Sequence, residues 1–182
     1  AGAWTEYDSD YLQKSLADSK LNNVNIYDCT NQWGVFSIAG PNSRNFLKKI
    51  VVSEDPDKTL SNKGFPWLSY RDIEIGMCPV RALRVAYTGE LGWELHHPIE
   101  MQNYLLDILL SAGEEFDIKL VGARAQNWLR QEKSYKAFGS DLGRDAGPFE
   151  SNLNRFVDLS KDFLGKKALL DRKTEVSCVT LL

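Results

Sequence analysis

Cysteine and histidine are scarce in this chain. The three cysteines, Cys29, Cys78 and Cys178, stand far apart with no CxxC spacing. That argues against a zinc frame or a disulfide scaffold and suits buried free thiols in a reducing compartment. The two histidines are the neighbours His96 and His97. Adjacent residues of a strand point to opposite faces, so they make no two-ligand metal pair and read as a strand end before Pro98. Basic excess is missing as well. Lys and Arg number 22 against 25 Asp and Glu, a formal charge of −3, whereas a nucleic-acid binder presents a basic face. No apolar run reaches the roughly 18 residues of a membrane span, and the start carries no signal-peptide pattern. Neither nucleic acid nor a membrane is therefore an expected partner, and the expected location is the cytoplasm, or the mitochondrial matrix in a eukaryote. A GxxxxGK[ST] phosphate loop, a Ser/His/Asp or Cys/His nucleophile set and internal repeats are absent too.

What is present is ordinary globular composition: 43% hydrophobic and 26% charged residues over a length of 182. That suffices for one domain with a core, or for a domain and part of another. A short amphipathic helix is predicted over 9–20, with Ser9 as N-cap and Tyr11, Leu12 and Leu16 as its stripe. Strands are predicted over 24–29 and, more buried, over 33–39. Gly40-Pro41-Asn42-Ser43 then opens a helix through Phe46, Leu47 and Ile50; Pro41 suits a helix start, where its fixed φ costs no hydrogen bond. Such a junction can seat an anion on free amides, although helix initiation alone accounts for it. Residues 53–63 read as a loop. Two long strands over 67–75 and 77–87 meet at Gly76. Met101, Tyr104, Leu105, Ile108, Leu109 and Ala112 mark one face of a helix ending near Gly113. Another helix is predicted over 123–135, a Gly/Pro loop over 141–150, a strand over 156–159 and a short helix after Gly165. Paired antiparallel strands with covering helices make the expected class α+β.

The chain opens on Ala-Gly-Ala-Trp4 and closes on a β-rich run over 176–182. An unpaired terminal strand is a liability in a finished domain, so the expectation is a fragment of a larger polypeptide. Its most informative stretch is Arg84-Val-Ala-Tyr87-Thr-Gly89-Glu90-Leu-Gly92-Trp93-Glu94-Leu95. It reads as strand, glycine-bounded turn, strand. Alternation places Glu94 and Gly92 on one face and Trp93 on the other, leaving Glu90 in the turn. A plain surface hairpin would account for it if it stood alone.

Further segments follow at characteristic intervals: Leu129-Arg130-Gln-Glu132-Lys-Ser134-Tyr135 with Gly139-Ser-Asp141, then Pro148-Phe-Glu150, then Lys161-Asp-Phe163-Leu-Gly165-Lys166-Lys-Ala168-Leu169. With the Tyr87–Glu94 stretch and Trp33-Gly-Val-Phe-Ser-Ile-Ala-Gly40-Pro-Asn-Ser43-Arg44 upstream, the chain resembles the folate-binding aminomethyltransferase family over nearly its whole length. That family includes the glycine cleavage T-protein and the C-terminal halves of dimethylglycine and sarcosine dehydrogenases. The Gly-Trp-Glu-Leu and Glu-Lys-Ser-Tyr-Lys wording is similar to the dehydrogenase and oxidase branch.

The resemblance implies part of a three-domain T-protein-like fold. Residues 1–140 would be its folate-binding core, with an N-terminal segment missing, and 141–182 a linker and the start of a β-rich domain. It implies tetrahydrofolate as cofactor and, as the reaction, capture of an amine-derived iminium or aminomethyl carbon to give 5,10-methylenetetrahydrofolate. FAD would belong to a linked or associated flavoprotein domain outside this chain. Tyr87 and Glu94 match positions that hold folate, and Arg124 one near the folate tail; Glu90 and Arg130 are further candidate folate-binding residues. A carboxylate offers two coplanar acceptors to the two-donor edge of a pterin, and an arginine suits the glutamyl carboxylates. Arg130 and Glu132 are expected to form a structural ion pair. Relatives usually carry Gly at the positions of Ser134 and Asn152, so loop geometry there is open. The family aspartate that steers the reactive folate nitrogen lies upstream of this chain, which by itself would be an incomplete enzyme. A non-catalytic folate-fold module and a tetrahydrofolate-dependent demethylase of a methylated sulfur compound are the alternatives.

Overall fold

A computed structural model of the protein describes residues 4–172 and 176–179. Its centre is a four-stranded antiparallel sheet, formed by β1 (Trp33–Ala39), β2 (Tyr70–Ile75), β3 (Cys78–Leu83) and β4 (Gly92–Pro98) in the order β1-β4-β3-β2. Helices α1 (Thr5–Ser19), α2 (Ser43–Ile50), α3 (Pro56–Thr59), α4 (Gln102–Gly113), α5 (Ala123–Glu132) and α6 (Lys166–Asp171) accompany it. The architecture is α+β, as the sequence implies.

The strand pattern makes one face of the sheet a core. Trp93, Leu95 and His97 of β4 alternate inward and are buried. In register beside them stand Ile38, Phe36 and Gly34 of β1 and, opposite Leu95, Ala82 of β3. Helices α2 and α4 close this side with Phe46, Leu47, Leu105 and Leu109, and the 60–65 loop adds Leu60 and Phe65. Met101, Tyr104, Ile108 and Ala112 pack against the same cluster, so the predicted stripe of α4 is present along its length. Two guanidiniums flank Trp93: Arg44 and Arg84 lie 5.7 and 5.9 Å from its ring centroid. Both donate to Asn62 Oδ1, at 2.7 and 2.8 Å, which ties the 60–65 loop to the end of β3. Burial, then the Arg44 charge, pushes the Arg84 guanidinium below its ordinary pKa. The opposite face of the sheet is exposed and carries Trp33, Val35, Tyr70, Arg81, Glu94 and His96.

Several local expectations are corrected. Helix α1 starts at Thr5, not Ser9, and none of its residues is buried. Tyr11 and Leu12 are each 49% exposed, so among the described residues the amphipathic stripe has nothing to cover. Residues 24–29 and 156–159 form no strand. Both alternate suitably, but a strand also needs a neighbour for its backbone groups, and neither segment finds one among the described residues. β2 and β3 are shorter than predicted and turn at Gly76-Met77, where Gly76 has φ +58°. Helix α5 stops at Glu132 and buries only Arg130. Of the cysteines, all free, only Cys78 is buried; Cys29 is exposed and Cys178 half-buried. Residues 176–179 are irregular, and 180–182 of the predicted terminal β run lie outside the described residues.

Candidate functional site

The stretch 84–91 is a loop, not the arm of a tight hairpin. β3 ends at Leu83, and its pairing with β4 covers Arg81 to His96, Ala82 to Leu95 and Leu83 to Glu94. The eight residues between, 84–91, connect the strands; Gly89 supplies a left-handed bend at φ +73°, while Gly92 is already the first residue of β4. Gly40 N–H donates to Leu91 O at 2.9 Å and the Ser43 hydroxyl to Gly40 O and Leu91 O at 2.8 and 3.1 Å. The Gly-Pro junction is therefore used to anchor this loop.

Glu94 sits on the exposed face of β4 at mid-strand, between Ser37 of β1 and Leu83 of β3. Its side chain is 35% exposed, and Oε2 lies 3.2 Å from His96 Nε2. Oε1 makes no hydrogen bond among the described residues. The alternation predicted for Glu94, Trp93 and Gly92 holds. Next to this pair in the register, Arg81 grips Asp72 at 2.8 and 3.2 Å. That hydrogen bond holds the Asp72 carboxyl below the usual carboxylate range.

Tyr87 and Glu90 stand in the loop and lean towards the end of α5. The Tyr87 hydroxyl donates to Lys136 O at 3.0 Å, and its ring centroid lies 6.4 Å from that of Tyr135. Glu90 lies 3.5 Å from Lys133 Nζ. It also lines a cavity of about 460 Å³ with Phe36, Ile38, Leu106, Leu109 and Ile118. Glu94 is not part of that lining. Arg124, the second residue of α5, is exposed and makes no hydrogen bond or ion pair among the described residues.

Arg130 is drawn into the scaffold. Its side chain is 3% exposed, and it donates to Asn127 Oδ1 at 2.9 and 2.7 Å, to Tyr135 O at 2.8 Å and to Asp141. The predicted partner, Glu132, is replaced by Asp141. Side chains two apart on a helix do not face each other, so Arg130 turns to the loop beyond. Burial raises the Asp141 carboxyl, but the Ala137 amide and Arg130 outweigh it and hold the group below its ordinary range. His96 neighbours Glu94 because residues two apart on a strand share a face, a relation the alternation alone contains. Among the described residues no group of three or more His, Cys, Asp or Glu side chains is placed to hold a metal ion, and no helix is long and apolar enough to cross a membrane.

The GCVT N-terminal domain family model matches residues 1–161. Mitochondrial dimethylglycine dehydrogenase of Mus musculus is 44% identical over 154 residues, 84% of this chain and 17% of that protein. Mitochondrial sarcosine dehydrogenase of the same species is 32% identical over 170 residues, 92% of this chain and 18% of that protein. The aminomethyltransferase of Caldanaerobacter subterraneus subsp. tengcongensis is 32% identical over 161 residues, 85% of this chain and 41% of that protein. The chain thus spans under a fifth of the two dehydrogenases and about two fifths of the aminomethyltransferase.

Proposed function

Because the chain belongs to the GCVT N-terminal domain family, we propose that it is the tetrahydrofolate-binding portion of a one-carbon transfer enzyme of the dimethylglycine or sarcosine dehydrogenase kind. The observation that carries this reading is Glu94: a carboxylate in mid-strand on an exposed sheet face, with one oxygen beside His96 and the other open. The amide N–H and 2-amino group of a pterin form a two-donor edge that such a carboxylate fits in one plane. Arg124, exposed and unpaired among the described residues, suits the glutamyl carboxylates of the same ligand. Tyr87 and Glu90 shape the loop at the head of β4. Arg130 holds the end of α5 to Asp141.

Tetrahydrofolate supplies the nitrogens that take up the one-carbon unit from a methylated amine or its iminium. The chain's own share is to bind, to orient and to exclude water. Residues 1–140 form the folate-binding unit, 141–182 lead out of it, and a flavoprotein domain, linked or associated, oxidises the amine. Identity to the dimethylglycine dehydrogenase, 44%, exceeds that to the aminomethyltransferase, 32%, and supports the dehydrogenase branch. The corresponding compartment is the mitochondrial matrix in a eukaryote and the cytoplasm in a bacterium. Titration calorimetry with folinic acid, on this chain and on its full-length parent, tests the reading. Glu94→Gln turns one acceptor into a donor facing the 2-amino group and is expected to cost roughly 1.5–3 kcal/mol of affinity. Unchanged affinity would remove Glu94 from the site.

A further inference from the structure

The chain's two histidines have different surroundings. His97 is fully buried, stacked on Phe36 with centroids 4.9 Å apart, and bonded through Nδ1 to Leu95 O at 2.9 Å. His96 is on the exposed face, its side chain 30% exposed, with Nε2 directed at Glu94 Oε2. A carboxylate can only accept, so His96 Nε2 carries the proton in this contact.

Resting on the folate reading of Glu94, we infer that His96 is a positioning residue for that carboxylate and sets the pH range in which it binds a pterin. The neutral imidazole fixes Oε2 through one hydrogen bond and leaves the carboxylate its full negative charge for the two neutral donors of the ligand. Protonation at Nδ1 turns the same neighbour into a cation, which offsets that charge and weakens its charge-assisted bonds to the pterin.

The other groups facing His96 leave this pairing undisturbed. Pro98 lies two residues on along β4, and Val35 of β1 is opposite on one side. Opposite on the other side is Arg81 of β3, whose guanidinium is engaged by Asp72 and lies 5.4 Å from the Tyr70 ring centroid. With His97 enclosed in the core, His96 is the histidine that shares the exposed sheet face with Glu94.

The test measures folinic acid affinity by calorimetry between pH 5.5 and 8 for the unmodified chain, His96→Gln, His96→Phe and Glu94→Gln. The His96 Cε1 proton is followed by NMR over the same range. The unmodified chain is expected to bind about three- to fivefold more weakly at the acid end, as for a partly exposed charge pair. Its midpoint should coincide with that of the His96 resonance. His96→Gln, which keeps an N–H donor but cannot titrate, should restore near-neutral affinity with a flat profile; His96→Phe should be weaker at every pH. A pH profile retained in His96→Gln, or a binding midpoint apart from that of the His96 proton, overturns the positioning role while leaving the folate reading intact. Equal affinities of Glu94→Gln and the unmodified chain, or no binding by the latter, overturn the folate reading and this inference with it.

Discussion

Arg130 and Asp141 join the end of α5 to the loop that follows it, with the guanidinium enclosed at 3% exposure and the carboxylate at 25%. Asp141 also accepts from Ala137 N–H at 3.0 Å, so one side chain fixes both the helix end and the turn beyond. Removing one member of an enclosed pair leaves the other charge uncompensated, typically at a cost of 3–5 kcal/mol. Arg130→Ala is expected to lose about 3 kcal/mol or more of unfolding free energy in urea. Asp141→Asn should lose less, because the amide oxygen still accepts from Ala137.

The same pair sets an acid limit. Asp141 is held below its unfolded value of about 3.9, so its contribution is full above that value and is lost as pH falls through the folded one. The stability gap between the unmodified chain and Asp141→Asn should therefore be constant from pH 7 to about pH 5 and shrink below about pH 4. Urea titrations of both proteins at these pH values read the difference directly. A gap that stays constant into acid would mean that the charge of Asp141 contributes nothing.

Two departures from the family pattern coincide with left-handed backbone. Ser134 has φ +57° and Asn152 φ +59°. Each closes a helical turn with the same pair of bonds. Tyr135 N–H donates to Arg130 O and Ser134 N–H to Gln131 O; likewise Leu153 N–H donates to Pro148 O and Asn152 N–H to Phe149 O. This is the C-terminal motif in which glycine is favoured, because a Cβ is strained there. Both side chains make contacts of their own, so the backbone term is isolated by comparing Gly with Ala at one position. Ser134→Gly is expected to exceed Ser134→Ala in stability by about 1 kcal/mol, and Asn152→Gly to exceed Asn152→Ala by a similar amount. Thermal melts of the four variants decide it.

The parts of the fold readable in the sequence are those whose pattern carries its own reason. The 3- and 4-residue steps of α4 and the alternation of Trp93, Leu95 and His97 each report a buried face. What misled was pattern without a partner. Among the described residues, Tyr11 and Leu12 form a stripe with nothing to cover, and residues 24–29 alternate with no neighbouring strand. At the site, strand alternation fixed the face of Glu94, because it depends on the pleat alone. The Arg130–Asp141 pair was invisible, since it depends on how the chain turns eleven residues on. The turn itself is not legible, because glycines at 89 and 92 look alike in sequence, while of the two only Gly89 has positive φ.

The Tyr87 hydroxyl donates to Lys136 O at 3.0 Å, and the residue is 39% exposed. Tyr87→Phe removes that bond and keeps the ring beside Tyr135. At a half-exposed site the loss is at the low end of the usual range, about 0.5–1 kcal/mol of stability. Folinic acid affinity should change far less than in Glu94→Gln. A loss of affinity as large as that of Glu94→Gln, with stability unchanged, would make the hydroxyl a ligand contact instead.

Gly89 tests how the loop is coupled to α5. A Cβ at this position would lie 2.3 Å from Lys133 Cγ and 2.9 Å from Lys133 Cβ, on a backbone at φ +73°. Gly89→Ala thus carries two costs. The left-handed conformation costs about 1–2 kcal/mol, and Lys133 must move, loosening its approach to Glu90. Only the second cost depends on the lysine. Lys133→Ala leaves the Lys133 Cβ contact but removes Cγ and Cδ, so the double variant Gly89→Ala/Lys133→Ala should be more stable than additivity allows, by about 0.5–1 kcal/mol. Strict additivity in a urea double-mutant cycle would show that the Lys133 stem gives way freely and that backbone strain alone sets the need for glycine at 89.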